Sequence, residues 1–563
     1  MTVSSSSRRF IPWFALAFAL ALLLRLLRLG ELPLSDAEAN WALQALGLLR
    51  SQPVTLGTQP LYVHLTASLF FIFQPSNAAA RLVSALAGSG LVLAPLLFAD
   101  KLGQKAALFL TFFLALDPGL LALSREAGSP ILTMTLTALV WGLWRNNRVE
   151  WAGICVGWML LSGPALWPGL LALAVSYGLT RGIVPADDFR LEASSLRRAA
   201  FYAIGAYLAF GSFFLLSPGG LGAIFRFSLD DFWTPGALPP LVMLTTPFIY
   251  QPLAIIFGLI AAVRGALKRD ALTLFLTFWF FAALILSLAP PARPIGGLAW
   301  ALIPLWTLAA LELQHLLIPA QAGRNETLAM TVLTLLLLTF AALALTAVAL
   351  GKMDPPSAQM YTLVALAAVL MLAVGAALVA QGWNTAVAWQ GTLWGGLGFL
   401  AVYSLSIALF AANLKPHATV EFWRPGAQVT QADALQRQMN DLSLRHTGTS
   451  QSLKVILVGM NSSTTSNAPA ALRWLLRAWD VTVAADFVPN STSNLFITSE
   501  GFSAPQLESA YRGADFRWYS YPGWEQASAA DWMTWLVEHS LPSGEENIIL
   551  WARTDLFSNE SNP

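Results

Sequence analysis

A mostly α-helical, polytopic membrane bundle with a small extracytoplasmic α/β domain at its C-terminal end is the fold class this sequence predicts, and three observations predict it. Of 563 residues, 56% are hydrophobic and 11% charged, a balance too apolar for a soluble chain of this size. The apolar residues gather in about thirteen runs, each near the roughly 20 residues that cross a bilayer core. After about Asn413 the runs stop, and short strand-like stretches alternate with Ser, Asn and Thr. A net charge of +1 supplies no field for nucleic acid. The single cysteine, Cys155, excludes an intrachain disulfide and a cysteine-based metal site. There is no Walker loop, HExxH or G-x-S-x-G, which argues against an ATP-driven pump.

Taken in order, the expected spans are 10–30, 82–100, 106–123, 130–145, 150–165, 166–180, 199–216, 241–262, 271–289, 297–317, 329–351, 357–380 and 390–412. The first is read as an uncleaved span, because no small-residue cleavage site follows it. Basic residues orient the bundle. With the N-terminus in the cytoplasm, the inner loops collect Lys101, Lys105, Arg145, Arg148, Arg181 and Arg264 among others, whereas the outer loops hold only Arg50, Arg81, Arg125, Arg226, Arg293 and Lys352. That assignment makes 31–81 one long outer loop, in which the run Leu61 to Phe73 is too short to cross and is expected to lie on the membrane. Residues 1–412 therefore form the transmembrane domain and 413–563 an extracytoplasmic domain. Strands are expected at Lys454–Val458, Val481–Ala484, Asn494–Thr498 and Asn547–Trp551, and a helix at Ala470–Trp479.

The long first loop carries the densest chemical signal. Ser35 precedes Glu38 by three residues, the spacing of a capping box, so a helix starts there and runs toward Arg50. On a 3.6-residue period Asp36, Asn40, Gln44 and Gly47 make a polar stripe, and Ala39, Ala42, Leu43, Leu46 and Leu49 an apolar one suited to a membrane surface. Asp36 and Glu38 stand about 200° apart on that wheel, so they need not serve one site. Asp36 has the better claim to the polar face.

The acidic pair Asp36 and Glu38 just after the first span, the loop helices with Gln59-Pro60-Leu61-Tyr62, and the turn Ser124-Arg125-Glu126-Ala127 together resemble the integral-membrane glycosyltransferases of the GT-C fold. Protein O-mannosyltransferases and aminoarabinose lipid A transferases belong to that class. Coverage is best over about residues 10–145. The tail around Trp518 and Trp551-Ala552-Arg553-Thr554-Asp555-Leu556 faintly resembles flippase-associated GT-C relatives. In this chain Ala37 separates the two acids that are adjacent in many relatives.

The resemblance implies transfer of a sugar from a polyprenyl-phosphate donor to an acceptor hydroxyl, on a glycan, lipid or protein, at the outer face of the cell membrane. Asp36 or Glu38 would then be the catalytic base, and Arg125 and Arg293 would bind the donor phosphate through the guanidinium fork. Asn40, His64 and Glu126 are further substrate-binding candidates. The motifs call for no particular cofactor and leave a divalent cation open. Asp230-Asp231 is more simply a solvated loop pair than a metal site. The aromatics Trp518, Tyr519, Tyr521 and Trp524 suit core packing better than sugar stacking. A lipid-linked glycan flippase and a noncatalytic assembly protein of the same class are the alternatives. A transporter, however, is expected to show paired repeats and midplane charges, and the charges here gather at the ends of the spans.

Overall fold

The computed structural model describes residues 10–184, 192–223, 226, 238–316, 323–351, 354–412, 420–459, 468–487, 493–502 and 509–560. Helices occupy all of the expected apolar segments. They are α1 (Ile11–Leu26), α2 (Asp36–Leu49), α3 (Pro60–Phe73), α4 (Asn77–Leu91), α5 (Gln104–Leu116), α6 (Pro118–Ser124), α7 (Ile131–Arg145), α8 (Val149–Leu160), α9 (Leu166–Ile183) and α10 (Ala193–Gly211). There follow α11 (Pro240–Tyr250), α12 (Pro252–Lys268), α13 (Ala271–Leu288), α14 (Ala299–Leu316), α15 (Arg324–Ala349), α16 (Pro355–Gly382) and α17 (Thr385–Ala411).

Length and hydropathy qualify six of the described helical segments as complete spans, or up to eight if each of two bent pairs counts as one. The expected count of about thirteen crossings is thus not carried by the structure. Several segments are short for a crossing, such as the 12 residues of α8. The expected span 241–262 is two helices, α11 and α12, set at 90°. Gln251 leaves the helical region there, with φ −126° and ψ 47°, as residues preceding proline tend to do. Another bend, of 57°, separates α5 from α6, where Asp117 caps the new helix by accepting the Leu120 N–H at 2.7 Å.

Beyond the bundle lies one six-stranded sheet in the order β1-β5-β6-β4-β2-β3. Its strands are β1 (Gln428–Val429), β2 (Lys454–Val458), β3 (Asp480–Ala484), β4 (Leu495–Ser499), β5 (Tyr511–Pro522) and β6 (Ser543–Arg553). The pairs β2/β3 and β2/β4 are parallel, while β4/β6, β6/β5 and β5/β1 are antiparallel. Helices α18 (Ala432–Thr447), α19 (Ala470–Leu475) and α20 (Ala529–Glu538) complete this part.

Much of the apolar face of the loop helices meets protein, while Phe71, Ile72 and Phe73 at the end of α3 stay exposed. Ala39, Ala42, Ala45 and Leu46 of α2 and Val63, Ala67 and Phe70 of α3 are buried in one hydrophobic core with Leu435, Leu457, Leu472 and Trp518 of the sheet region. A protein surface satisfies the same apolar face that lipid would. The sheet region is thereby seated on the first loop.

Candidate functional site

The Ser35 capping box forms as its spacing predicts. The Ser35 hydroxyl accepts the Glu38 N–H at 3.3 Å, and the Glu38 carboxylate accepts the Ser35 N–H at 3.0 Å. Glu38 does much more than cap. Arg81, from α4, grips it with two prongs, Nε to Oε1 at 2.7 Å and Nη2 to Oε2 at 2.8 Å. The Ala127 N–H adds a further bond to Oε1 at 3.0 Å. Burial alone would raise the Glu38 carboxyl, but the Arg81 guanidinium outweighs it and holds the group down at about 2. Arg81 is saturated in turn, since it also donates to the carbonyls of Leu29, Leu32 and Pro33.

A 330 Å³ cavity opens beside this pair. Ser35, Asp36, Ala37, Glu38, Arg81, Glu126, Ile295, Trp423 and Arg424 are in its wall. Four consecutive residues of the α2 entry line it, so the helix end, not one side, faces the cavity. That is why Asp36 and Glu38 share one site despite their separation on the wheel. Asp36 accepts the Ala471 N–H at 2.8 Å and a short hydrogen bond from the Tyr519 hydroxyl. Its carboxylate therefore also fastens α19 and β5 to the first loop.

Glu126 and Arg424 differ from these saturated groups. Among the described residues neither side chain has a hydrogen bond or close ion pair within the chain. Glu126 is half-buried, and removal from water, reinforced by the charge of Glu38, pushes its carboxyl up to about 7. Burial lowers the Arg424 guanidinium, and the nearby Arg81 charge adds to that, while Glu38 and Glu126 oppose it. Arg424 follows Trp423, whose indole packs where a side chain on Gly119 of α6 would have to go. The cavity thus presents one carboxyl poised near neutrality and one uncommitted guanidinium. Such a pair can exchange a proton and hold an anion.

The other expected residues lie elsewhere. Arg125 points away from the cavity and donates to the carbonyls of Leu24 (3.0 Å), Arg25 (3.1 Å), Leu27 (2.7 Å) and Arg28 (3.2 Å), closing the C-terminal end of α1. Arg293 sits half-buried at its loop tip with φ 35°, outside the cavity wall, although Ile295 reaches it. Asn40 is exposed. His64 stacks on Phe213 with ring centroids 4.7 Å apart, and its Nδ1 lies 2.7 Å from the Phe210 carbonyl oxygen, which ties α3 to α10. Asp230 and Asp231 lie outside the described residues, and among those described no group of three or more His, Cys, Asp or Glu could hold a metal. Of the tail aromatics, Trp518, Tyr519 and Trp524 are buried.

Arg81 and Arg424 were not singled out from sequence. Arg81 carries a signal in hindsight, as one of the few basic residues among the outer loops. Arg424, in Trp-Arg-Pro-Gly after the last apolar run, carries none.

No family model and no curated protein sequence matches the chain. Among solved structures it is similar to the crystal structure of ArnT from Cupriavidus metallidurans bound to undecaprenyl phosphate, with a TM-score of 0.54 at 14% identity over 96% of this chain and 98% of that one. It is also similar to the same protein in the apo state, with a TM-score of 0.52 at 15% identity over 87% and 94% of the two chains. ArnT is an aminoarabinose transferase, so the likeness shows that this chain has the fold of a GT-C glycosyltransferase, in agreement with the resemblance of its loop motifs.

Proposed function

We propose that the protein is a membrane glycosyltransferase that moves a sugar from a polyprenyl-phosphate donor to an acceptor hydroxyl, with the 330 Å³ cavity as its active site. The observation that carries this reading is the presence of Glu126 and Arg424 together in one cavity at the bundle end. The fold supports it, as does the undecaprenyl phosphate bound to the ArnT neighbour.

In this scheme the acceptor oxygen attacks the anomeric carbon. The bond from that carbon to the phosphate oxygen breaks, and the lipid phosphate leaves with its electron pair. Glu126 takes the acceptor proton, for which a carboxyl near neutrality is well matched. Arg424 neutralises the leaving phosphate. Asp36 and Glu38, the acids the loop motif marks as catalytic, shape the wall: Glu38 through its lock on Arg81, and Asp36 by holding the sheet region over the cavity. Residues 1–412 supply the membrane part and 413–563 the cover. The proposed orientation keeps the N-terminus in the cytoplasm and the cavity outside, consistent with Lys101, Arg145 and Arg181 lying together at the opposite end of the bundle.

The test is transfer in proteoliposomes. Purified protein, a labelled polyprenyl-phosphate sugar and an envelope extract as the acceptor pool should release free polyprenyl phosphate at a rate that Glu126→Gln cuts by about 10²- to 10⁴-fold. Equal release by the Glu126→Gln variant or by protein-free liposomes would remove the assignment.

A further inference from the structure

A cavity larger than the candidate active site lies elsewhere in the bundle. At the other end of the bundle a 470 Å³ apolar chamber lies between α4, α5, α7, α9, α13 and α14. Helices α4 and α7 run from the active-site end to this one, and α5 and α13 run back. Arg81 and Arg145 mark the two ends of α4 and α7, for instance. Along α7 the chamber runs from Met134 to Arg145, a rise of about 16 Å at 1.5 Å per residue. That is close to half of the roughly 30 Å hydrocarbon core.

The wall is almost wholly hydrocarbon and aromatic, yet its mouth carries Lys101, Arg145 and Arg181. Arg145 is paired with Asp100 at 2.5 Å, and the Arg181 Nε donates to the Tyr177 hydroxyl at 2.9 Å. Among the described residues, Lys101 and Arg145 against Asp100 leave this part of the lip positive. A chamber one leaflet deep, apolar within and cationic at its lip, matches one acyl chain attached to an anionic headgroup. Basic pockets between membrane helices bind such headgroups. The glycosyl-transfer reading makes no use of this chamber.

We infer that the chamber is a binding site for an anionic phospholipid of the leaflet opposite the candidate active site, with one acyl chain inside and the phosphate against Lys101 and Arg145. The lipid braces α7, the helix that follows the Glu126 turn, against α13 and α14.

Native mass spectrometry of the full chain, released from micelles containing equal phosphatidylglycerol and phosphatidylcholine, reads the site directly. One phosphatidylglycerol should be retained with at least about tenfold preference, the discrimination a charge-assisted contact of ~1.5 kcal/mol supplies. Lys101→Ala/Arg145→Ala should abolish the preference. Ala138→Trp, which fills the chamber and leaves the cations in place, should abolish retention. Where that variant does not fold, excess quenching of intrinsic fluorescence by chain-brominated phosphatidylglycerol over brominated phosphatidylcholine should disappear in Trp141→Phe/Trp279→Phe, which removes two chamber-lining indoles. Equal retention of the two lipids, a preference that survives loss of the cations, or stronger retention of added undecaprenyl phosphate would each overturn the inference. Glu126→Gln should retain the lipid unchanged, so failure here and failure of the transferase reading are separable.

Discussion

The Glu38 carboxylate and the Arg81 guanidinium form a buried two-pronged ion pair, with bonds of 2.7 and 2.8 Å, between helices that begin on either side of the loop helix α3. Among the described residues Arg81 has no other counter-ion within hydrogen-bonding reach, and its remaining donors end on carbonyls that close the chain around the α2 entry. The pair is therefore the joint on which the first loop turns.

Acid should loosen this joint. The Glu38 carboxyl is held at about 2, below its ordinary 4.5, so the folded state is favoured fully above pH 4.5 and loses that advantage as pH falls toward 2. Linkage puts the loss at about 3 kcal/mol. Thermal unfolding in detergent should show a melting temperature that drops across this window. Glu38→Gln can still cap the helix but leaves Arg81 buried without its anion, so it should be destabilised by roughly 3–5 kcal/mol and should lack the Glu38 contribution to the acid limb. A variant as stable as the parent would mean the pair is not closed in solution.

The Glu126 carboxyl points to a pH dependence in rate, placed near neutrality. With its ionisation near pH 7, a proton-accepting role makes transfer rise as pH increases through 7 and level off above it. Glu126→Asp should keep a similar limb with reduced kcat, and Glu126→Gln should flatten it. The folded state itself favours the protonated acid, so stability should weaken as pH rises from 4.5 through 7. A pH–rate profile that is flat in the parent between pH 5 and 8 would exclude Glu126 as the base.

The two arginines named for donor binding and the one found in the cavity are separable by kinetics. Arg424→Gln should raise the KM for a polyprenyl-phosphate donor by about 10- to 100-fold, the worth of a charge-assisted hydrogen bond. Arg125→Lys keeps the charge but cannot reach four carbonyls at once. It should lower the melting temperature and leave the donor KM within about twofold, a change of ~0.4 kcal/mol. An unchanged KM in Arg424→Gln together with a raised one in Arg125→Lys would return the phosphate to Arg125.

Tyr519→Phe removes the hydroxyl that bonds Asp36 without changing the ring packing. Loss of a hydrogen bond to a charged group is worth about 1.5–3 kcal/mol. Amide exchange in Ala470–Leu475 should quicken by about tenfold or more, while α13 and α14 exchange as before. No change would indicate that the Ala471 bond alone seats the sheet region.

What could be read from sequence was local or repetitive. The capping box needs three residues of spacing, and the apolar segments announce themselves by length; both appear where expected. The bend at Gln251 was hidden because hydropathy counts apolar residues and is blind to chain direction. The Glu38–Arg81 lock joins residues 43 apart through the packing of α2 on α4, which no periodicity encodes. Likewise β5 escaped notice because its burial alternates irregularly, with most residues at least partly exposed. Its fit comes from β1 and β6 on either side. The surroundings of Arg125 were the least legible: its guanidinium closes the C-terminal end of α1. A guanidinium beside a candidate acid reads as a ligand for phosphate until the helix end it closes is seen.

On the transferase reading proposed above, the missing side chain at Gly119 would give the bundle an uncharged means of setting donor affinity. Any methyl group there collides with the Trp423 indole, and displacement of that ring carries its neighbour Arg424 with it. An alanine at 119 would thus act as a shim inserted inside the membrane part, retuning the anion-binding end of the cavity while every ionisable group stays in the chain. On that reading, donor preference would change through a position outside the cavity wall.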